Sequence, residues 1–119
     1  MVHDSAKRLL DFFEVENNRD WETYEKFLAP DVEWTAYGPP RRSVVKGRDE
    51  YVKTMKKAYK NIKGRFRVLN IAYNSKKNLV MAELELDSRK SVDVFEFRNG
   101  LIWREREYYD DVTWVKHLA

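Results

Sequence analysis

Asp93, Glu105 and Glu107 are the residues of this sequence whose types and spacing could do chemistry. They lie in the stretch Val92–Asp110, where acids and aromatics alternate on either side of Asn99-Gly100. Two carboxyl groups sharing an apolar pocket cannot both ionise cheaply, so at least one pKa should rise. A carboxyl poised near neutral pH is what general acid/base catalysis needs. The competing expectation is that the sheet face is open, or that arginines neutralise these acids structurally.

Whether the three acids share a face depends on the turn between their strands. Asn-Gly between alternating runs is a strong hairpin signal, because both residues tolerate positive φ. A two-residue loop would pair Arg98 with Leu101 and place Asp93 opposite Arg106. A three-residue loop, with Gly100 as a left-handed bulge residue, would pair Phe97 with Leu101. The second register gathers Asp93, Phe95, Phe97, Leu101, Trp103, Glu105 and Glu107 on one face. The hydrophobic pattern should specify the register, and it favours this bulged hairpin.

The rest of the chain must position that face. Asp4-Ser5 can cap a first helix to about Asn17, with Ala6, Leu9, Leu10, Phe12 and Phe13 inward. Asp20 can cap a short second helix that Pro30 ends. Val32–Tyr37 alternates like a strand, and Ser43-Val44-Val45 can form another beyond the Gly38-Pro39-Pro40 loop. Gly47 opens a third helix whose inward stripe is Tyr51, Val52, Met55, Ala58, Tyr59 and Ile62. After Gly64 the period changes to two, and Arg65–Tyr73, Leu79–Asp87, Ser91–Arg98 and Leu101–Tyr109 read as a four-stranded antiparallel meander. Helices followed by an aromatic-rich sheet imply an α+β class, with the helices covering one sheet face.

Composition narrows the function. The chain has 119 residues, enough for one domain over 1–119 with a core of its own. A hydrophobic fraction of 43% and an aromatic fraction of 14% belong to a globular protein. With no cysteine, thiolate catalysis and a cysteine-based zinc site are excluded. His3 and His117 stand near opposite ends, so no metal site built on histidine is expected. No apolar run approaches the ~20 residues of a membrane span, and a soluble, cytoplasmic protein without membrane partners is expected. The net charge of +3 conceals a basic middle: residues 41–67 hold 11 Lys/Arg against two acids. The exposed face formed by Lys53, Lys56, Lys57, Lys60 and Lys63 reads as solvated, since no nucleic-acid motif accompanies it. Arg41 or Arg42 could rim a pocket, although an ordinary loop is favoured there.

The order of elements resembles the nuclear transport factor 2-like superfamily, in particular its SnoaL-like members. The matching pieces are Asn18-Arg19-Asp20-Trp21, Leu28-Ala29-Pro30-Asp31-Val32-Glu33-Trp34, Lys46-Gly47-Arg48-Asp49-Glu50-Tyr51, Val94 to Ile102, and Arg106-Glu107-Tyr108-Tyr109-Asp110. The resemblance implies a cystatin-like cone in which three N-terminal helices pack in a curved antiparallel sheet around an internal pocket. It also implies a small-molecule ligand, no cofactor and a homodimer. Asp93-Val94-Phe95-Glu96-Phe97 matches the Asp-x-Phe-x-Phe pattern of the ketosteroid isomerases, whose aspartic acid helps form the oxyanion hole. Phe13 stands where their tyrosine donor would be and Trp34 near their base, which points away from steroid isomerisation. Glu105-Arg106-Glu107-Tyr108-Tyr109-Asp110 is similar to the Trp-Arg-Asp-Tyr-Phe-Asp segment of the limonene epoxide hydrolases. Their arginine and partner aspartate find no counterpart around Met81–Glu85. The likeness thus implies Glu107 as acid/base and Asp93 as hydrogen-bond donor or second acid, and the bulged register adds Glu105 as assistant. Trp34, Tyr37, Met55, Tyr59, Phe95, Trp103 and Tyr109 are the expected ligand-lining residues, with Tyr51 beside them. The rival expectation is a non-catalytic binding or interaction domain whose acids are structural.

Overall fold

The computed structural model describes residues 4–38 and 42–109. Helix α1 spans Asp4–Asn17, and its buried positions Ala6, Leu9, Phe12, Phe13 and Glu16 follow helical spacing. Asp20 caps helix α2, Trp21–Tyr24, by accepting from the Thr23 amide. A 3-10 turn over Glu25–Phe27 follows. Strand β1 then begins at Leu28 and runs to Tyr37. Pro30 therefore does not end the second helix; it sits inside β1. It is tolerated there because the pairing of β1 is irregular between Leu28 and Glu33.

Strand β2 spans Ser43–Lys46 and helix α3 spans Arg48–Tyr59. Gly47 joins them at φ 91°, a conformation that β-carbon-bearing residues rarely adopt, while its amide donates to the Val32 carbonyl at 2.7 Å. Strands β3 (Arg67–Asn74), β4 (Leu79–Leu86), β5 (Arg89–Arg98) and β6 (Leu101–Tyr109) form the expected meander. The six strands make one sheet in the order β2-β1-β6-β5-β4-β3. Every neighbouring pair is antiparallel except β1 and β6, which run parallel. The three helices cover its inner face, giving the α+β cystatin-like architecture.

The core lies between helices and sheet and is largely aromatic. Phe12 stacks on Tyr24 with ring centroids 4.3 Å apart, while Phe13 meets Phe66 and Phe95 edge-on at 5.2 and 5.6 Å. Among the described residues, no helix is long and apolar enough to cross a membrane. Lys53, Lys56, Lys57, Lys60 and Lys63 are all exposed. His3, His117, Pro39, Pro40 and Arg41 lie outside the described residues.

A carboxyl cluster in the inner cavity

The β5–β6 hairpin follows neither register expected from the sequence in full. Its turn is the two-residue kind, with Asn99 at φ 54° and Gly100 at φ 78°, and Arg98 pairs with Leu101. One step later the register shifts: Phe97 pairs with Ile102, but Glu96 pairs with Arg104. Trp103 is the extra residue on β6, so the bulge lies in the strand and not at the turn.

That bulge decides which side chains enter the protein. Before it, Ile102 is buried with Phe97. After it the parity of β6 is reversed, and Asp93 faces Glu107 while Phe95 faces Glu105. Asp93, Glu105 and Glu107 thereby share the inner face, by a different register from the one favoured above. Leu101 and Trp103 do not join them. Trp103 lies outside the cavity because it occupies the bulge, where the Arg98 and Arg104 guanidinium groups cover its ring at 4.8 and 4.2 Å.

The inner face encloses a cavity of about 60 Å³. By the usual allowance of roughly 10–15 Å³ per water, that is room for a few molecules. Among the expected ligand-lining residues, Trp34, Met55, Tyr59 and Phe95 reach it. Tyr37 does not. Inward positions on β1 are Val32, Trp34 and Ala36, so Tyr37 points outward and stacks on Tyr108 at 4.9 Å. Tyr109 is half-buried beside the cavity and hydrogen-bonds with Glu107. Arg42 lines a separate groove on the outer face with Lys46, Arg104 and Arg106.

Each acid has its own surroundings. The Tyr51 hydroxyl donates to Glu105, which is 4% exposed. Trp34 Nε1 donates to Glu107 Oε1 at 3.0 Å. Asp93 is 3% exposed and its Oδ1 has no hydrogen-bond partner, although Ser91, Glu105 and Glu107 all act on its carboxyl. Burial pushes Asp93 and Glu105 well above the ordinary carboxylate range, and the charge of Glu107 pushes both further. Burial also raises Glu107, to about 7, against the opposing donors Tyr109 and Trp34. The protons of such a group leave as a set, not residue by residue.

A fourth carboxyl was missed in the sequence. Glu16 faces the same cavity from α1 and accepts from Tyr24 at 2.5 Å and Tyr59 at 2.6 Å. Burial raises its pKa too. Its signal was present: Glu16 falls three residues after Phe13 on the apolar stripe of α1, where an acid is out of pattern.

Asp93, Glu105 and Glu107 are also the residues that could hold a metal. Their carboxylate oxygens lie within 4.8 Å of one another, which suits an oxygen-preferring cation in spacing. The other cavity walls are mostly apolar and would add few ligands.

A curved sheet closed by three helices over an inner cavity defines a protein of the nuclear transport factor 2-like class. The chain belongs to the SnoaL-like domain family, whose model matches residues 9–105. It is similar in fold to Bal32a from a soil-derived mobile gene cassette, with a TM-score of 0.80 at 16% identity, covering 98% of this chain and 97% of that one. A candidate ketosteroid isomerase from Kribbella flavida DSM 17836 superposes with a TM-score of 0.69 at 19% identity, covering 91% and 78% of the respective chains. A de novo designed protein with a curved β-sheet reaches 0.79 at 21% identity, covering 99% and 97%. Identities this low show the fold alone. No curated protein matches the chain.

Proposed function

We propose that the cavity binds a small organic molecule and that its acids perform cofactor-independent proton transfer on it. Glu107 acts as the general acid/base, Asp93 as hydrogen-bond donor or second acid, and Glu105 supports both. The observation that carries this reading is the position of Glu107 in an apolar cavity with its pKa raised to about 7. A group so poised can both take and return a proton at neutral pH. Neighbouring Asp93, whose pKa burial and the charge of Glu107 push well above the ordinary range, can donate to a developing oxyanion when it carries a proton. The isomerase-like relative is consistent with this class of chemistry.

The test is deuterium incorporation in D2O from a panel of small ketones and amino ketones, followed by NMR. Exchange above the buffer rate, lost in Glu107→Gln, is the expected result. Exchange that is unchanged in Glu107→Gln would refute the assignment. One observation favours the rival reading of a non-catalytic binding domain: Tyr51 and Trp34 already hold Glu105 and Glu107, as structural acids would be held.

The outer sheet face supports a homodimer. Val92 and Tyr108 are paired and exposed, with Met81 and Val44 exposed on the same face. Exposed apolar side chains spread across a sheet surface, here beside the Glu96–Arg106 ion pair, fit a second copy of the chain.

A further inference from the structure

The charges around the cavity are all of one sign. Glu16, Asp93, Glu105 and Glu107 line it, and no lysine, arginine or histidine does so among the described residues. Arg19 is the base that acts on Glu16, but its guanidinium lies over the Tyr59 ring at 4.1 Å and bonds to the carbonyls of Glu16, Asn17, Ile62 and Gly64. No cationic side chain among the described lining residues would answer a carboxylate or phosphate.

A second observation concerns Asp93. Its Oδ1 is buried in the cavity wall without a partner. A buried acceptor left unmet is costly, and a ligand with an N–H group aimed at it removes that cost. The cavity is also lined by five aromatic residues, Phe13, Trp34, Tyr59, Phe66 and Phe95. Aromatic faces attract organic cations more than they attract neutral isosteres. A divalent metal would compete for the same carboxylates, but the aromatic lining favours an organic cation.

We propose that the ligand of this cavity carries a protonated amine, whose ammonium donates to Asp93 Oδ1 beneath the aromatic walls. This identifies the ligand class of the pocket proposed above, and it rests on that pocket reading. Glu105, whose charge acts on Asp93, adds to the negative field. Glu107, held by Trp34 Nε1 and Tyr109, keeps its role as base. The cavity's small volume accommodates an ammonium head with a short apolar chain.

The test compares n-butylammonium, 1-butanol and butyrate, followed by the 1H–15N signal of the Trp34 indole, whose N–H points at Glu107. At pH 8, n-butylammonium should bind at least about tenfold more tightly than 1-butanol, and butyrate should not bind. Its affinity should fall by about tenfold or more between pH 8 and pH 5, as protons return to the carboxyls. The titratable groups that line the cavity or bond to its carboxyls are Glu16 from α1, Tyr24 from α2, Tyr51 and Tyr59 from α3, Asp93 from β5, and Glu105, Glu107 and Tyr109 from β6. The tyrosines are all raised from their ordinary value of 10, so only the carboxyls change charge in that range. Asp93→Asn should reduce n-butylammonium to the level of 1-butanol while 1-butanol binding persists. Equal or tighter binding of 1-butanol to the wild type overturns the amine assignment and leaves the pocket standing. Failure of all three probes to move the Trp34 signal overturns the pocket reading together with it. The wild-type comparison decides even if Asp93→Asn does not fold.

Discussion

Raising the pH from 5 to 8 should destabilise this protein, opposite to the trend produced by salt-bridged surface carboxylates. Glu107 carries the workable number. Its pKa stands at about 7 in the folded chain against 4.5 as the ordinary value. Between those values the folded state holds a proton that the unfolded state has released. Stability from this group is therefore complete below pH 4.5, falls as pH rises through 7, and is level above that. At about 1.4 kcal/mol per pKa unit, the difference amounts to about 3 kcal/mol as an upper bound. Partial solvent access to the half-buried side chain reduces that, so a loss of about 2 kcal/mol is expected from Glu107. Asp93, Glu105 and Glu16 are shifted in the same direction and extend the trend. Urea denaturation at pH 5, 6, 7 and 8 measures it directly. Glu107→Gln should flatten the slope twice over, because the charge of Glu107 also raises Asp93 and Glu105. Stability that is equal or greater at pH 8 would refute the placement of these acids in a desolvated cluster.

Three further outcomes follow from the same contacts. Trp34→Phe keeps a ring against Tyr51 but removes the donor to Glu107 Oε1, a charge-assisted bond of about 1.5–3 kcal/mol, so Glu107 should titrate about one unit higher by 13C NMR of its carboxyl carbon; an unchanged titration would contradict the bond. Tyr59→Phe keeps the ring beneath Arg19 and removes the hydroxyl that donates to Glu16 at 2.6 Å, so urea denaturation should show a loss of about 1–2 kcal/mol. Val92→Glu places a charge opposite Tyr108 on the outer sheet face and should convert a sedimenting dimer to monomer without altering the fold; a wild-type chain that sediments as a monomer would remove the dimer.

The division between what the sequence disclosed and what it withheld falls along the difference between periodicity and register. Periodicity carried the three helices, the four-strand meander and the class, because a 3.6-residue stripe and a two-residue alternation report directly on a covered face. The same alternation puts Trp34 inward and excludes Tyr37 from that face, because strand residues an odd number apart point to opposite sides. Register was harder, since a single inserted residue inverts every side chain beyond it. The sequence required Asp93, Phe95 and Phe97 to be in phase with Glu105 and Glu107, and one bulge satisfies that requirement wherever it is put. Gly100 looked like the natural location, because glycine is the usual left-handed bulge residue. The chain instead uses Asn99 and Gly100 together in a tight turn and spends the extra residue on Trp103, which two guanidinium groups cover from outside. Glu16 shows the complementary case. It is separated from Asp93 by most of the chain, and only tertiary packing brings it to the same cavity. A carboxyl on an apolar helical stripe is nevertheless a local contradiction with a readable meaning: such a group must find donors inside, as Glu16 finds Tyr24 and Tyr59. Four acids thus converge from α1, β5 and β6 without a base among the cavity's lining residues. Some positive charge, whether protons or a bound cation, must therefore enter with them, and that need ties the inverted pH dependence of stability to the choice of ligand.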